Sequence, residues 1–535
     1  MKLKTLCAMI DCSRNAVMKP PVVKSFLSTL KAMGYNAAML YTEDTYQIPE
    51  YPLFGYMRGG YTKEELKDID AYADSIGIEM IPCMQTLGHL ELALKWDVLP
   101  KESKDILLPD DEESYKFIDR AFASLSECYK SRKIHIGLDE AFGLGLGAML
   151  KKNGYEPPIP IIKRHLKRIK EIADKYGYTI LCWSDMFFTE WNNGRYWIEK
   201  TEIPKDVIES VPDGVIPIYW DYYSMDFNRY DGMLYNHKQL NKDSWFAGAV
   251  WGWRGMIPYN NFTIRCATAA IDACEKNGTD NIMICLWGDD GNECSRYSEL
   301  PSLYYIARYA HGERDEAKIK AGFEEMFGVP FDTYMQIDDP NRPGNTDFGK
   351  CDLNPSKYMF YSDYFNGFRD VYVDETAGKD YGEYASNLHE ISTRVRPEAS
   401  YAFESAAKLC EVMYHKYDLG LKTRRAYQAG DKAQLDRLVK EHYTPLLTLI
   451  EEYHEAFKRQ WFNENNPSGF DLQDMRIGGV LARTVSCRQR LIDYIEGRVD
   501  KIDELEVELI PFPNLGWSKW RSGRYMFTPN VFEGI

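Results

Sequence analysis

The segment Lys133-Ile-His-Ile-Gly-Leu-Asp-Glu140 joins a short apolar run to two consecutive acidic residues. Amphipathic helical patterns flank it, at residues 112–129 and 161–176. The same alternation continues in both directions along the chain, which is typical of repeated βα units. It predicts eight strands, at residues 5–10, 37–41, 78–83, 133–138, 179–183, 215–220, 245–250 and 281–287.

Strands that are apolar along their whole length must be buried on both faces, as in parallel sheets covered by helices. Eight consecutive βα units therefore predict an α/β fold, a closed (β/α)8 TIM barrel over residues 1–315. An open doubly wound sheet is the alternative, and no glycine-rich nucleotide-binding motif supports it. Beyond residue 316, helical patterns predict a mainly α-helical C-terminal domain over 316–535, with an extended tail at 510–520.

The composition describes an acidic globular chain in which aromatic residues make up 14%. Of its 535 residues, 65 are basic and 81 acidic, so the net charge is −16. This field repels phosphate backbones and anionic lipids, so neither nucleic acid nor a membrane is expected as a partner. The apolar run at 5–10 is too short for a secretory signal. The 12 cysteines lack zinc-site spacing and indicate buried thiols in a reducing cytoplasm.

Acidic residues and tryptophans recur after the predicted strands, where TIM barrels carry their chemistry. Carboxylates suit a neutral, hydroxyl-rich ligand, and flat apolar rings suit the faces of a sugar. A single tryptophan is more often a core residue, but four at equivalent strand ends favour a binding site. The acids Asp11 and Asp185 can also be read as helix caps. The four tryptophans are Trp183, Trp220, Trp251 and Trp287.

His135-Ile-Gly-Leu-Asp-Glu140 resembles the H-x-G-G-D-E signature of glycoside hydrolase family 20, the β-N-acetylhexosaminidases, with Leu138 in place of the second glycine. The resemblance continues in register over residues 5–312. Other matching segments are Asp11-Cys-Ser-Arg14, Thr42-Glu-Asp44, Ile81-Pro-Cys-Met-Gln-Thr-Leu-Gly-His89, Trp183, Trp220 and Trp287-Gly-Asp289.

The resemblance implies a retaining exo-β-N-acetylhexosaminidase that removes terminal β-linked GlcNAc or GalNAc without metal or cofactor. In this chemistry the substrate's own 2-acetamido oxygen attacks C1, which leaves the protein two carboxylate roles. Glu140 would be the general acid and base, and Asp139 would orient the acetamido group. Consecutive strand residues point to opposite faces, so both reach one ligand only if the strand ends or bulges there. Gly137 makes such an irregularity feasible.

The resemblance also assigns supporting residues. Arg14 would bind the outer hydroxyls O3 and O4, unless it only pairs with Asp11, and Asp289 would hold O4 or O6. Rings at the strand ends would enclose the sugar and its acetamido methyl group, and His89 would support the catalytic acids together with Glu43 or Asp44. His135, inside strand four, would be a packed, hydrogen-bonded group. The enclosing rings are Trp183, Trp220, Trp253 and Trp287.

Three departures from the family pattern matter. The tyrosine expected after strand seven falls near Gly252, and Tyr222 or Tyr223 would have to supply its hydroxyl. Cys83 and Gln85 replace acidic residues of the strand-three motif. The barrel begins at residue 5, without room for a preceding α/β domain, which suggests an intracellular branch.

Two other functions stay open at this stage. One is a metal-dependent sugar isomerase that uses oxygen and imidazole ligands. The other is an inactive sugar-binding barrel, against which the presence of both Asp139 and Glu140 argues. A homodimer is also open, because the helical domain could cover its own barrel or that of a second subunit. The isomerase's ligands would be Glu43, His89, Asp139, Asp185 and Asp289.

Overall fold

Eight parallel strands form one sheet in the computed structural model, which describes residues 3–345 and 354–511. All eight predicted strands are confirmed, and they adopt the order β3-β2-β1-β8-β7-β6-β5-β4. β1 is buried along its whole length, as a strand covered on both faces must be. The strands are β1 (Thr5–Asp11), β2 (Ala37–Tyr41), β3 (Glu79–Met80), β4 (Lys133–His135), β5 (Thr179–Trp183), β6 (Val215–Trp220), β7 (Trp245–Ala249) and β8 (Asn281–Leu286).

The prediction of a closed barrel is corrected at one place, because the two end strands β3 and β4 share no regular ladder within residues 3–345. A single parallel bridge joins Cys83 to His135. β3 ends after two residues, and Pro82 just beyond it has no N–H for a ladder. β4 ends at His135 because Gly137 and Leu138 have φ of +70° and +83°, which no strand residue adopts.

Helices follow the strands as the amphipathic patterns predict. Helix α1 (Pro20–Met33) begins with two prolines and is followed by Gly34, whose φ of +113° suits a helix C-terminus. Its apolar residues at intervals of three and four are buried. The helices up to residue 310 are α1 (Pro20–Met33), α2 (Lys63–Ser75), α3 (Glu91–Leu94), α4 (Glu112–Ser126), α5 (Ala148–Asn153), α6 (Pro158–Lys175), α7 (Asp185–Thr189), α8 (Lys205–Ile208), α9 (Phe227–Leu240), α10 (Asn260–Asn277) and α11 (Leu300–Ala310).

The second part of the chain is helical, as predicted. Its longest helices, α16 (Pro397–Lys416), α19 (Thr444–Glu464) and α20 (Phe470–Ile495), each bury a set of apolar residues. A π-helical turn, Val439–Tyr443, precedes α19. The helices are α12 (Glu316–Phe327), α13 (Phe331–Tyr334), α14 (Pro355–Tyr361), α15 (Asp380–Ser392), α16 (Pro397–Lys416), α17 (Leu419–Gln428), α18 (Lys432–Leu438), α19 (Thr444–Glu464), α20 (Phe470–Ile495) and α21 (Asp503–Glu506).

By their internal contacts the residues form two units. The first comprises residues up to 250 together with 263–287 and 303–315, and the second comprises 251–262, 288–302 and the described residues from 316 on. The division at residue 315 stays a prediction. From residue 512 onward, the predicted extended tail lies outside the part of the chain that the structure describes. Within the described ranges, no helix combines the length and the apolar character that crossing a membrane requires.

Candidate active site

The two consecutive acids after β4 face one imidazole ring. His89 Nε2 lies 3.2 Å from Asp139 Oδ2 and 3.5 Å from Glu140 Oε2. This convergence is possible because Leu138 and Glu140 have φ of +83° and +47°, so the backbone leaves the strand geometry that would send neighbouring side chains to opposite faces. The irregular strand end that the sequence required for both acids to serve one ligand is present.

Glycine is needed at two close approaches around this turn. A Cβ on Gly137, which has φ of +70°, would lie 1.6 Å from Gln85 Oε1. A Cβ on Gly88 would lie 2.6 Å from the backbone oxygen of Asp139, and Gly88 thereby allows the loop carrying His89 to approach Asp139. His89 itself has φ of +55°. Left-handed backbone at non-glycine residues is costly and often occurs at functional sites.

His89 is a cation within a group of three carboxylates. Its Nδ1 lies 4.0 Å from Glu43 Oε1, and its Nε2 faces Asp139 and Glu140. Burial lowers the pKa of His89, but the charge of Asp139, hydrogen bonding with Asp139 and Glu140, and the charge of Glu43 outweigh burial and hold this pKa well above its ordinary value. The imidazolium therefore offsets part of the negative charge around it.

Asp139 is buried and remains ionised at neutral pH. Its Oδ1 accepts a hydrogen bond from Gln85 Nε2 at 3.3 Å, and the same amide group donates to the Tyr41 hydroxyl at 2.6 Å. Burial raises the pKa of Asp139, yet the charge of His89 more than compensates, so the pKa lies below its ordinary value. A fixed carboxylate at this point can accept a hydrogen bond from a ligand N–H.

Glu140 has its backbone fixed and its side chain accessible, with 44% of the side chain exposed. Its N–H donates to Asp185 Oδ2 at 2.8 Å, and the second oxygen of Asp185 accepts from Trp220 Nε1 at 3.2 Å. Burial and the nearby Asp139 raise the pKa of Asp185 to about 7. One buried carboxyl group thus ties the backbone of Glu140 to the indole of Trp220.

The sequence left Glu43 and Asp44 as alternatives beside His89, and the structure separates them. Glu43, which has φ of +44°, contacts His89 and also accepts hydrogen bonds from Arg14 and from the Tyr41 hydroxyl. Burial raises the pKa of Glu43, and the charge of Arg14 opposes this effect. Asp44 instead accepts from Arg58 Nε at 3.3 Å.

Aromatic rings surround the strand ends in the first unit. The Trp183 and Trp287 ring centroids lie 6.0 Å apart, and Tyr41 packs edge-on against Trp287 at 4.8 Å. Trp220 stacks on Tyr222 at 5.5 Å with 26° between the planes. The Tyr222 hydroxyl is hydrogen-bonded with the indole of Trp287 and with the thiol of Cys285.

His135 is a buried, packed group, as the sequence predicts. Its ring packs edge-on against Trp183 at 4.5 Å, and its Nδ1 accepts from the Gly137 N–H at 3.1 Å. Burial lowers the pKa of His135 to about 4, so the ring is neutral at physiological pH. A neutral ring with an occupied Nδ1 serves packing rather than proton transfer.

Two predicted site residues, Asp289 and Trp253, belong to the second unit, and their roles stay predictions. Asp289 begins a short 3-10 helix, and Trp253 stacks on Trp251 with ring centroids 4.1 Å apart. Between those tryptophans, a Cβ on Gly252 would lie 1.9 Å from Oε1 of the buried Glu299. This packing leaves no space for a tyrosine at position 252.

Three contributors received no role in the hydrolase reading of the sequence: Tyr41, Gln85 and Asp185. Asp185 was noted as a strand-end acid but could equally be a helix cap, and only its two hydrogen bonds distinguish these roles. Tyr41 is the last residue of β2. A tyrosine hydroxyl at the end of a barrel strand is a sequence feature that could have identified it as a candidate site residue. No group of three or more His, Cys, Asp or Glu side chains within residues 3–345 and 354–511 is arranged to hold a metal ion.

Neighbouring carboxylates beside aromatic walls at the ends of parallel strands describe a glycoside hydrolase, and two family models agree. "Glycosyl hydrolase family 20, catalytic domain" matches residues 8–209, and "Glycoside Hydrolase 20C C-terminal domain" matches residues 332–520. The chain belongs to glycoside hydrolase family 20.

Similar proteins carry hexosaminidase names. Hexosaminidase D of Homo sapiens is 27% identical over 363 residues, which cover 62% of this chain and 70% of that protein. Hexosaminidase D of Bos taurus is 27% identical over 222 residues, which cover 39% of this chain. The chain spans only 60% of that bovine protein's length. A solved exo-β-N-acetylglucosaminidase of this family from Vibrio harveyi is 15% identical, with a TM-score of 0.47, over 63% of this chain and 58% of that one.

Proposed function

We propose that the protein is an exo-acting β-N-acetylhexosaminidase that releases terminal β-linked GlcNAc or GalNAc with retention of configuration. The observation that supports this best is the convergence of Asp139 and Glu140 on His89, at 3.2 and 3.5 Å. It allows two adjacent carboxylates to act on one sugar residue. The hexosaminidase names of the relatives support the same substrate class.

In the first step, the acetamido oxygen of the substrate attacks C1 while the bond from C1 to the leaving oxygen breaks. Glu140 donates its proton to that oxygen. Asp139 accepts a hydrogen bond from the acetamido N–H, on which positive charge develops as the oxazolinium ring closes. The lowered pKa of Asp139 keeps it in the ionised form that this role needs.

In the second step, Glu140 is a carboxylate and takes a proton from water as the water oxygen attacks C1. The ring opens, the acetamido group is restored, and Glu140 is again protonated. Two displacements at C1 give net retention. The partial exposure of the Glu140 side chain is compatible with access of water from the leaving-group side.

The remaining contacts follow the family pattern. Arg14 would bind the outer hydroxyls O3 and O4, with Glu43 holding its guanidinium. Trp183, Trp220 and Trp287 would enclose the sugar ring and its acetamido methyl group. Tyr222, whose hydroxyl is already bonded with Trp287, would reach the acetamido oxygen in place of the strand-seven tyrosine. The roles of Asp289 and Trp253, which belong to the second unit, stay predictions, and a cytoplasmic location is part of the proposal.

The test is hydrolysis of aryl β-N-acetylglucosaminide and β-N-acetylgalactosaminide by the wild type, Glu140→Gln and Asp139→Asn. Each variant should lose about 10²- to 10⁴-fold in kcat/KM, the range that a proton-transferring or charge-stabilising group supplies. Glu156→Gln is the matched control, because Glu156 is a partly exposed glutamate that pairs with Arg164. An inert wild type, or full rate in both site variants, would contradict the proposal.

A thiazoline mimic of the cyclised intermediate tests the mechanism separately. It should inhibit competitively and more tightly than GlcNAc itself, because it reproduces the ring formed in the first step. Asp139→Asn should weaken this inhibition. Tight binding of an iminosugar with no inhibition by the thiazoline would exclude participation of the acetamido group.

A further inference from the structure

Two large apolar side chains are exposed on the loop that follows Glu140. Phe142 is 62% exposed and Leu146 is 57% exposed, on the loop between β4 and α5. Contiguous exposed apolar groups mark binding surfaces, whereas single exposed ones are common. The placement of these two residues beside the proposed catalytic acid requires a physical reason.

The loop that carries them is held in place. The Glu102 carboxylate accepts from the N–H of Gly147 at 2.6 Å and from that of Met149 at 2.7 Å. Leu144, midway along the loop, is fully buried. These contacts anchor the loop on both sides of Leu146, so the exposed side chains project from a fixed backbone.

Phe142 is tied directly to Glu140. Its N–H donates to the backbone oxygen of Glu140 at 2.6 Å, which closes a three-residue turn. A general acid must lie within hydrogen-bond distance of the leaving oxygen, so the leaving group passes beside Glu140. Phe142 is two residues from Glu140 along the chain and its ring is exposed, which makes it a candidate contact for the group that bears that oxygen.

We propose that Phe142, extended by Leu146, is a platform for the leaving group, and that it favours substrates in which the released oxygen belongs to a flat ring with an apolar face. A second sugar offers such a face through its C–H bonds, and an aryl group offers one through its π system. This inference rests on the proposed function and adds a preference for the second residue of the substrate.

The experiment compares three β-N-acetylglucosaminides: the methyl glycoside, an aryl glycoside and a disaccharide. Phe142→Ala should lower kcat/KM about three- to tenfold for the disaccharide and the aryl glycoside, the range of one aromatic contact. The loss should lie mainly in KM, and Phe142→Trp should restore it. The methyl glycoside, which lacks a ring, should change less than twofold.

Tyr155→Ala is the matched control, because Tyr155 is an aromatic residue with 68% exposure beyond α5. It should leave all three substrates unaffected. An equal loss on all three substrates in Phe142→Ala, or no loss, would overturn the inference. So would dissociation of a wild-type dimer by Phe142→Ala in sedimentation velocity, because the ring would then belong to a subunit interface. A wild type inert on every glycoside would instead refute the proposed function itself.

Discussion

Replacing Asp185 by asparagine tests how Glu140 is held. Both groups that face the Asp185 carboxylate are donors: the Glu140 N–H at 2.8 Å and Trp220 Nε1–H at 3.2 Å. Asparagine offers one carbonyl oxygen and an NH2 group that only donates. In Asp185→Asn, one of the two N–H groups must therefore face another donor and lose its hydrogen bond.

The expected loss follows from that count. Above pH 7 Asp185 is ionised, and a hydrogen bond to a charged group contributes about 1.5–3 kcal/mol. Each 1.4 kcal/mol corresponds to about tenfold, so kcat/KM for an aryl β-N-acetylglucosaminide should fall about 10- to 150-fold. Asp70→Asn is the matched control, because Asp70 is a buried acid in α2 that accepts a backbone N–H from Lys130. It should keep wild-type activity.

Although Asp185→Asn should lose activity, it should gain stability relative to the wild type as the pH rises. The folded-state pKa of Asp185 is about 7 against an ordinary 3.8, so the folded state binds the proton more tightly. The stability that this provides is present below about pH 4 and is lost as pH rises through 7. Asparagine does not titrate, so Asp185→Asn should gain stability relative to wild type between pH 4 and 7.5 in urea unfolding. Activity within twofold of wild type would refute the proposed positioning of Glu140.

Two further variants test the turn after β4 and the charge of His89. Gly137→Ala should destabilise the fold more than Gly177→Ala. Both positions have φ of +70°, but only at Gly137 would the new Cβ lie 1.6 Å from Gln85 Oε1. The difference is measured by the midpoints of urea unfolding, and equal losses would contradict the predicted crowding. His89→Asn should lower Tm most below about pH 6.5, the ordinary pKa of histidine, and progressively less as the pH rises through the raised pKa of His89. His89, with its raised pKa, stabilises only while protonated, and a pH-independent deficit would argue against the ion pair.

The sequence predicted the strands well because each is an apolar run bounded by polar or turn residues. The predicted strands at 37–41, 179–183 and 215–220 have the observed bounds. The errors lie at β3 and β4, which are shorter than their apolar runs. Pro82 interrupts one run, and the left-handed backbone after His135 ends the other. That backbone is set by tertiary contacts such as Gly88 against Asp139, which no local pattern reveals.

The sequence predicts several candidate site residues but not how their side chains pair. The motifs nominate Glu43, Asp44 and His89 together. The direction of each side chain depends on the φ of +44° at Glu43, which turns its carboxylate toward His89, whereas Asp44 pairs with Arg58. The role of Asp185 was similarly hidden, because an acid that opens a helix commonly caps it.

Leu138 is the one departure inside the signature motif, in which the family has glycine. The backbone at this position explains why glycine suits it and why a buried leucine is tolerated. The φ of +83° at this position favours glycine, and a side chain there costs about 1–2 kcal/mol. Leu138 is fully buried, and burying a leucine side chain contributes about 1.5–3 kcal/mol, which offsets that cost.

At Leu138 the glycine variant should therefore be more stable than the alanine variant, which is the reverse of the usual order. Leu138→Ala loses the burial and keeps the strain, whereas Leu138→Gly loses the burial but relieves the strain, so the glycine variant should be more stable by about 1–2 kcal/mol in urea unfolding. At the equally buried Leu30, inside α1, the alanine variant should be more stable by about 1 kcal/mol. The same order at both positions would mean that the left-handed turn at Leu138 carries no strain, and that the close approach of Asp139 and Glu140 needs another cause.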